Sequence, residues 1–264
     1  MDLKIQGKTA FVSGSTAGIG YATAERLLKE GVTVVINGRS SETVDKAVAK
    51  LRDIDPAYQV SGIAADFSKA DDVDRLISEL PDIDILVNNA GIFEPKGFTD
   101  ISDADWFRFF EVNVMSGVRL SRHFFPRMLK KNWGRIIFIS SESGVFIPEE
   151  MIHYGVTKTA QLAVSRGLAE LSKGTGVTIN SILPGPTNSQ GVGAFIEELS
   201  RSGNKTTAQV EKDFFTHMRP TSLLQRFATV EEVADTVVYY TSALASATNG
   251  ASVRVEGGLI RSIV

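Results

Sequence analysis

The sequence predicts a single doubly wound α/β domain, a parallel sheet covered by helices on both faces. Three observations predict it. Short apolar runs alternate with helix-length runs along the whole chain, the pattern of strand–helix–strand units. Runs such as Val32–Ile36 are apolar on both faces, as strands inside a parallel sheet are. A glycine-rich turn, Ser13–Gly20, stands between the first such strand and the first helix.

In order, Ala10-Phe11-Val12 is the first strand, and the helix after the glycine turn runs through Leu28 to stop at Gly31. Val32–Ile36 is the second strand, followed by a helix from about Glu42 to Arg52. Val60–Ala64 is the third, and Ser68 with Asp71 has capping-box spacing for a helix over Lys69–Leu80. Ile83–Val87 is the fourth strand. A long helical pattern then spans Asp103–Lys131, with Ser102 as N-cap and Pro126 as the expected kink. Arg135–Ile139, a helix over Tyr154–Leu171, and Val177–Leu183 continue the alternation. Thr229-Val230-Glu231-Glu232 opens a last helix with a capping box, and Ser252–Val255 is a final strand. No linker, repeat or low-complexity tract divides residues 1–264. Between about 188 and 227 the rhythm fails, as a cover over a site does.

Composition narrows the function. Of 264 residues, 43% are hydrophobic and 22% charged, and 28 basic against 31 acidic side chains leave a net charge of −3. That offers no basic field to nucleic acid. The absence of cysteine excludes disulfides, thiol catalysis and cysteine–zinc sites, and three scattered histidines argue against a metal centre. The N-terminus has no apolar signal run and no segment has the length of a membrane span, so the expected location is the cytoplasm.

The chemistry-bearing stretch is Ser140-Ser141 and then Tyr154-Gly155-Val156-Thr157-Lys158. Residues four apart on a helix share a face, so Tyr154 and Lys158 point into one space. An ammonium there is expected to lower the phenol from its usual value of about 10. With Ser141 facing the tyrosine hydroxyl, one carbonyl oxygen could bond to both. Such a set polarises a carbonyl for reduction. By itself it also fits an exposed helix pair beside a strand-end turn serine.

The second signal is independent of the first. Gly14, Ser15, Thr16, Gly18, Ile19 and Gly20 form a turn between strand and helix, where a close backbone and free N–H groups suit a pyrophosphate. At the end of strand two, an acid marks NAD and an arginine accommodates a 2′-phosphate. Here Asn37 and Gly38 carry no acid and Arg39 follows, which points to NADP(H), with NAD as second choice.

Ser13–Gly20, Asn88-Asn89-Ala90-Gly91, Asn113, Ser141, Tyr154/Lys158 and Pro184-Gly185, in this order and spacing, resemble the short-chain dehydrogenase/reductase family. The resemblance covers Lys8 to Gly258. It implies a seven-stranded Rossmann sheet and hydride transfer between a nicotinamide and a carbonyl or secondary alcohol. It makes Tyr154 the general acid/base, Ser141 the clamp on the substrate oxygen, and Lys158 a contact of the nicotinamide ribose. Asn113, a poor helix former in a helical stretch, becomes the anchor of a water that continues the relay from the lysine. Asp66, with Phe67 beside it, falls near the adenine, and Asn89, Ala90 and Gly91 line the adenosine side. Pro184, Gly185 and Thr187 fall at the nicotinamide. A non-catalytic nucleotide-binding sensor or scaffold on the same fold is the rival reading.

On the substrate side, Val192, Phe195, Ile196 and Leu199, then Phe214, Phe215 and Met218, recur at helical spacing. They form either an apolar cover or ordinary helix packing, and the expected substrate is a small carbonyl or alcohol with an apolar portion. His153, beside Tyr154, reads as structural. In the branch of the family that acts on acyl carrier protein, docking arginines stand at positions that are Trp133, preceded by Asn132, and Thr175 here, which disfavours an acidic carrier partner. Trp106, Phe107, Phe109, Phe110 and Val114 on one helix, and Leu162, Val164 and Leu168 on the other, cover more than one face. Family members pair these helices across subunits, so a homotetramer is expected, with a dimer second.

Overall fold

The computed structural model describes residues 1–203 and 205–263, apart from the side chains of five residues in one helix. Among the described residues, seven strands lie in one sheet: β1 (Thr9–Val12), β2 (Thr33–Gly38), β3 (Val60–Ala64), β4 (Ile85–Asn88), β5 (Gly134–Ile139), β6 (Val177–Pro184) and β7 (Ser252–Val255). Their order is β3-β2-β1-β4-β5-β6-β7, and every pairing is parallel. This is the doubly wound Rossmann arrangement.

The two-residue period of the strands sorts the core. Ala10, Val12, Val34, Ile36, Ile85 and Val87 face one side, with α1 (Gly18–Lys29), α2 (Ser41–Ile54) and α9 (Val230–Thr241). Phe11, Val35, Leu86, Ile136 and Phe138 face the other, with α3 (Ala70–Glu79), α5 (Ser116–Lys131) and α6 (Ile152–Leu171). Apolar residues are therefore needed on both sides of every inner strand, which explains their near-continuous hydrophobic sequence.

The chain leaves β1 outward to β3, then returns to β4 on the other flank of β1. Ligands of open α/β sheets bind at the strand carboxyl ends at such a reversal. The Ser13–Gly20 turn and Asn88–Gly91 meet there. Ser13 stitches them: its Oγ accepts from the N–H groups of Asn89 (2.9 Å) and Ala90 (3.0 Å).

Two local expectations need correction. Ser68 does not cap α3. The N-cap is Lys69 without a side-chain bond, and Ser68 Oγ donates instead to Asp66 at 2.8 Å. The long helix divides at a π turn, Glu111–Met115, between α4 (Asp103–Phe110) and α5, rather than ending its regularity at Pro126, which lies inside α5. Asn113 sits in that turn, and π turns recur at functional sites. The 188–227 stretch breaks the strand–helix alternation, as the sequence predicts. It holds α7 (Gln190–Gly203), α8 (Thr207–Asp213) and a π turn over Phe214–Met218. The excursion hangs from the sheet by a bridge between Thr187 and Ala228. The side chains of Phe195 and Leu199, named above as part of an apolar cover, lie outside the described residues.

Candidate active site

A cavity of about 380 Å³ opens at the carboxyl ends of the central strands. Ser141, Tyr154 and Lys158 line it, as do Ile19, Asn89 and Gly91 from the nucleotide side and Pro184, Gly185 and Thr187 from the end of β6. Phe214, Met218 and Phe227 close it from the excursion. The two signals separated in sequence thus share one space.

The glycine turn is held from behind. Ser15 is fully buried, with its Oγ donating to the Val12 carbonyl (2.6 Å) and accepting from Asn37 N–H (3.0 Å). Its hydroxyl therefore shapes the turn and does not face the cavity. Asn89 Nδ2 donates to the carbonyls of Ser13 (3.0 Å) and Gly14 (2.9 Å). A Cβ on Gly20 would come within 2.5 Å of that same amide nitrogen, so only glycine fits. The N-cap of α1 is Ala17, with no side-chain cap, and the first turn holds no acid. Its first N–H groups are thus left for an anion.

Arg39 is exposed just past β2. It lies near enough to Asp66 to help stabilise its charged form. Burial works to raise the Asp66 carboxyl, and hydrogen bonds from Ser68, with Lys69 and Arg39 nearby, outweigh it and hold the group below its ordinary range. Phe67 is buried in the core beside α3, so its side chain is not at the site. Ala90 packs at Gly14, and Thr187 Oγ1 donates to the Gly185 carbonyl at 2.9 Å. Thr16 touches the end of β2 at Gly38, and Gly18 opens α1.

At the β5 end of the cavity, Ser141 follows the strand and caps a short turn by accepting from Ser143 N–H at 3.1 Å. Tyr154 is the third residue of α6, with the Phe93 ring edge-on at 6.4 Å between centroids. Lys158 Nζ lies 5.5 Å from the centre of the tyrosine ring. One expectation fails here. Burial pushes the Tyr154 phenol up to about 12, against the facing Ser141 hydroxyl, and the Glu142 carboxylate adds to the rise. Lys158 does not lower it, because burial pushes the amine itself down to about 7. The amine donates elsewhere, to the Ile139 carbonyl (2.9 Å) and Gln161 Oε1 (3.2 Å).

Asn113 is fully buried, and its side chain is held at both ends: Oδ1 accepts from Ile92 N–H (2.8 Å), and Nδ2 donates to the Ile92 carbonyl and Thr157 Oγ1 (both 3.0 Å). It locks the 89–92 loop to α6. Where the resemblance puts a water anchored by Asn113, the main-chain carbonyl accepts from Gln161 Nε2 at 2.5 Å. His153 is buried between Phe109 (4.0 Å) and Trp106 (6.0 Å), and burial lowers its pKa, so it is a neutral packing residue.

Two features escape the sequence. Arg219, at the end of the excursion, reaches Glu142 (3.4 Å) and Glu150 (3.2 Å) at the cavity wall. Nothing in the run Met218-Arg219-Pro220 signals a partner so far away in the chain. Gln161 did leave a trace, since it follows Lys158 on the stripe of α6 that faces the interior, where apolar residues are the rule.

The fold and the site define a Rossmann-type nucleotide-binding protein with a tyrosine–lysine pair at its strand reversal. A family model described as short chain dehydrogenase matches residues 8–199. The uncharacterized oxidoreductase YvrD of Bacillus subtilis is 51% identical over the full length of both chains. The 3-oxoacyl-[acyl-carrier-protein] reductase FabG of Aquifex aeolicus is 34% identical over 98% of this chain and 100% of its own. Among solved structures, L-sorbose reductase from Gluconobacter frateurii, complexed with NADPH and L-sorbose, superposes with a TM-score of 0.93 at 29% identity over 100% of both chains. The chain belongs to the short-chain dehydrogenase/reductase family and is an oxidoreductase of that family.

Proposed function

We propose that the protein interconverts a carbonyl and a secondary alcohol, using NADP(H), in a homotetramer. The observation that carries this reading is one cavity lined at once by the anion-ready start of α1 and by Ser141, Tyr154 and Lys158. A dinucleotide fits the residues present: Gly14 and Gly20 let the turn close tightly against Ala90 and Asn89, and the uncapped α1 N-terminus meets the charge of a pyrophosphate. Arg39 is the partner of the 2′-phosphate, Asp66 lies on the adenine side, and Lys158 with Thr187 holds the nicotinamide end. That 29%-identical neighbour was solved with NADPH, which supports the same choice. When bound, the nicotinamide supplies or accepts the hydride.

The chain's own residues handle the proton. Ser141 donates a hydrogen bond to the substrate oxygen, and the Tyr154 hydroxyl gives that oxygen its proton in reduction. A phenol held up at about 12 is fully protonated at neutral pH, as a donor must be. Oxidation needs the reverse, in which the tyrosine oxygen takes the proton back. The 188–227 excursion is a lid. Its Phe214 and Met218, facing Phe93 and Phe227 around the cavity, take an apolar portion of the substrate.

The test is NADPH oxidation over a panel of ketones and aldehydes by the wild type and Tyr154→Phe. The variant keeps the ring and its packing while deleting the proton. Turnover should fall about 10²–10⁴-fold with cofactor affinity retained. Near-normal reduction by Tyr154→Phe places the acid elsewhere, and a wild type inert to every carbonyl defeats the reading.

A further inference from the structure

The amine of Lys158 and the main-chain carbonyl of Asn113 are joined by one side chain. Gln161 lies three residues beyond Lys158 on α6, 2% exposed, among Lys158 at 4% and Asn113 at 0%. Its Oε1 accepts from Lys158 Nζ at 3.2 Å, and its Nε2 donates to the Asn113 carbonyl at 2.5 Å. With the Ile139 carbonyl at 2.9 Å, two of the three donors of the lysine are fixed by the protein. The third direction remains for the cavity. Both ends of the carboxamide are therefore used, and neither faces solvent.

We propose that Gln161 is a positioning residue for Lys158: its carboxamide closes the inner end of the hydrogen-bond chain and holds the amine towards Tyr154. This rests on the reading of Lys158 and Tyr154 as the reacting pair. A carboxamide accepts and donates at separate atoms and does not hand a proton through. Proton exchange at Lys158 is thereby confined to the cavity side. The contact also carries a charge preference, because a hydrogen bond accepted from the ammonium favours the charged amine. It opposes the burial that pushes Lys158 down. The titratable group facing Lys158 is Tyr154 on the same helix, and no charged side chain from β5, the 89–92 loop or the π turn contributes to the shift.

The role separates from packing through two substitutions. Gln161→Met keeps the volume but leaves the amine and the Asn113 carbonyl without partners. Gln161→Ala opens space of the size one water needs, beside two polar groups that would hold it. Positioning therefore predicts that the larger, better-filling residue is the worse one. Turnover should fall about tenfold or more in Gln161→Met, the worth of one hydrogen bond to a charged group, and about threefold or less in Gln161→Ala. The reverse order, as packing alone demands, overturns the proposal.

A second readout needs neither cofactor nor turnover. In the ligand-free wild type with isotope-labelled lysine and glutamine, the Gln161 carboxamide signals should shift with the same midpoint as the Lys158 ε-carbon, assigned by loss in Lys158→Arg. In Gln161→Met the lysine midpoint should fall by about one pH unit, the equivalent of a tenfold change. A Gln161 carboxamide insensitive to the Lys158 titration overturns the proposal even if Gln161→Met does not fold. A wild type that reduces no carbonyl but shows the coupled titration defeats the functional reading and leaves the contact standing.

Discussion

Arg219 and Glu142 form a buried ion pair, Nε to Oε1 at 3.4 Å, that ties the 188–227 excursion to the residue next to Ser141. Their side chains are 6% and 5% exposed, and Arg219 also reaches Glu150 on the loop before α6. Burial raises the Glu142 carboxyl and Arg219 counters it. One side chain thus fastens the excursion to both segments that flank Ser141 and Tyr154.

Arg219→Met should therefore destabilise the protein by about 3–5 kcal/mol at neutral pH, since a buried carboxylate is left without its cation. A carboxyl raised on folding favours the fold while both states are protonated. That contribution is lost as pH rises from the unfolded value through the folded one. Without Arg219 the folded value goes higher still, so the deficit should grow from pH 5 to pH 8. Denaturant unfolding at the two pH values measures it. An equal deficit at both would show that Glu142 does not carry the effect.

Lys158 has the opposite pH dependence. Its folded value of about 7 lies below the unfolded 10.5. Well below pH 7 the amine is charged in both states, and its burial costs the fold in full. Between 7 and 10.5 the unfolded chain binds more protons, so stability rises with pH through that window. Lys158→Met should raise the melting temperature at pH 6, by roughly 2–4 °C for each kcal/mol of burial cost relieved in a chain of this length. The gain should shrink towards pH 10. Its absence at pH 6 would mean that the charged amine is well solvated.

Arg39→Asp replaces the proposed 2′-phosphate partner by a repelling charge. NADPH affinity should fall about ten- to a hundredfold, the range for a charge-assisted bond, while NADH affinity holds or improves. Fluorescence titration with each cofactor reads the ratio. A wild type that prefers NADH contradicts the assignment of Arg39.

The apolar residues of α4 divide. Phe109 is buried in its own chain under His153, whereas Phe107 and Phe110 stand 75% and 45% exposed. An exposed aromatic pair on one helix suits a subunit interface. Light scattering at micromolar concentration should give a tetramer mass, and Phe107→Glu should lower it. A monomeric wild type would rule out the proposed assembly.

Most of the architecture was legible in the sequence because strand and helix periods are local. The apolar runs, the Ser13–Gly20 turn and the Thr229–Glu232 capping box depend on residues a few positions apart, and each stands where the pattern puts it. So do Tyr154 and Lys158, four residues apart on α6. Their electrostatics were not legible. Which of two opposed effects wins, a lysine's field or the loss of water around it, depends on burial by β5, the 89–92 loop and the excursion. Ser15 and Phe67 likewise carry residue types suited to a cofactor contact, and only the packing of β2 and α3 turns them inward. Gln161 to Asn113 and Arg219 to Glu142 span 48 and 77 residues. Such pairs have no local signature. They exist because the sheet order brings distant carboxyl ends together, where a buried polar atom must find a partner or bear the cost of lacking one.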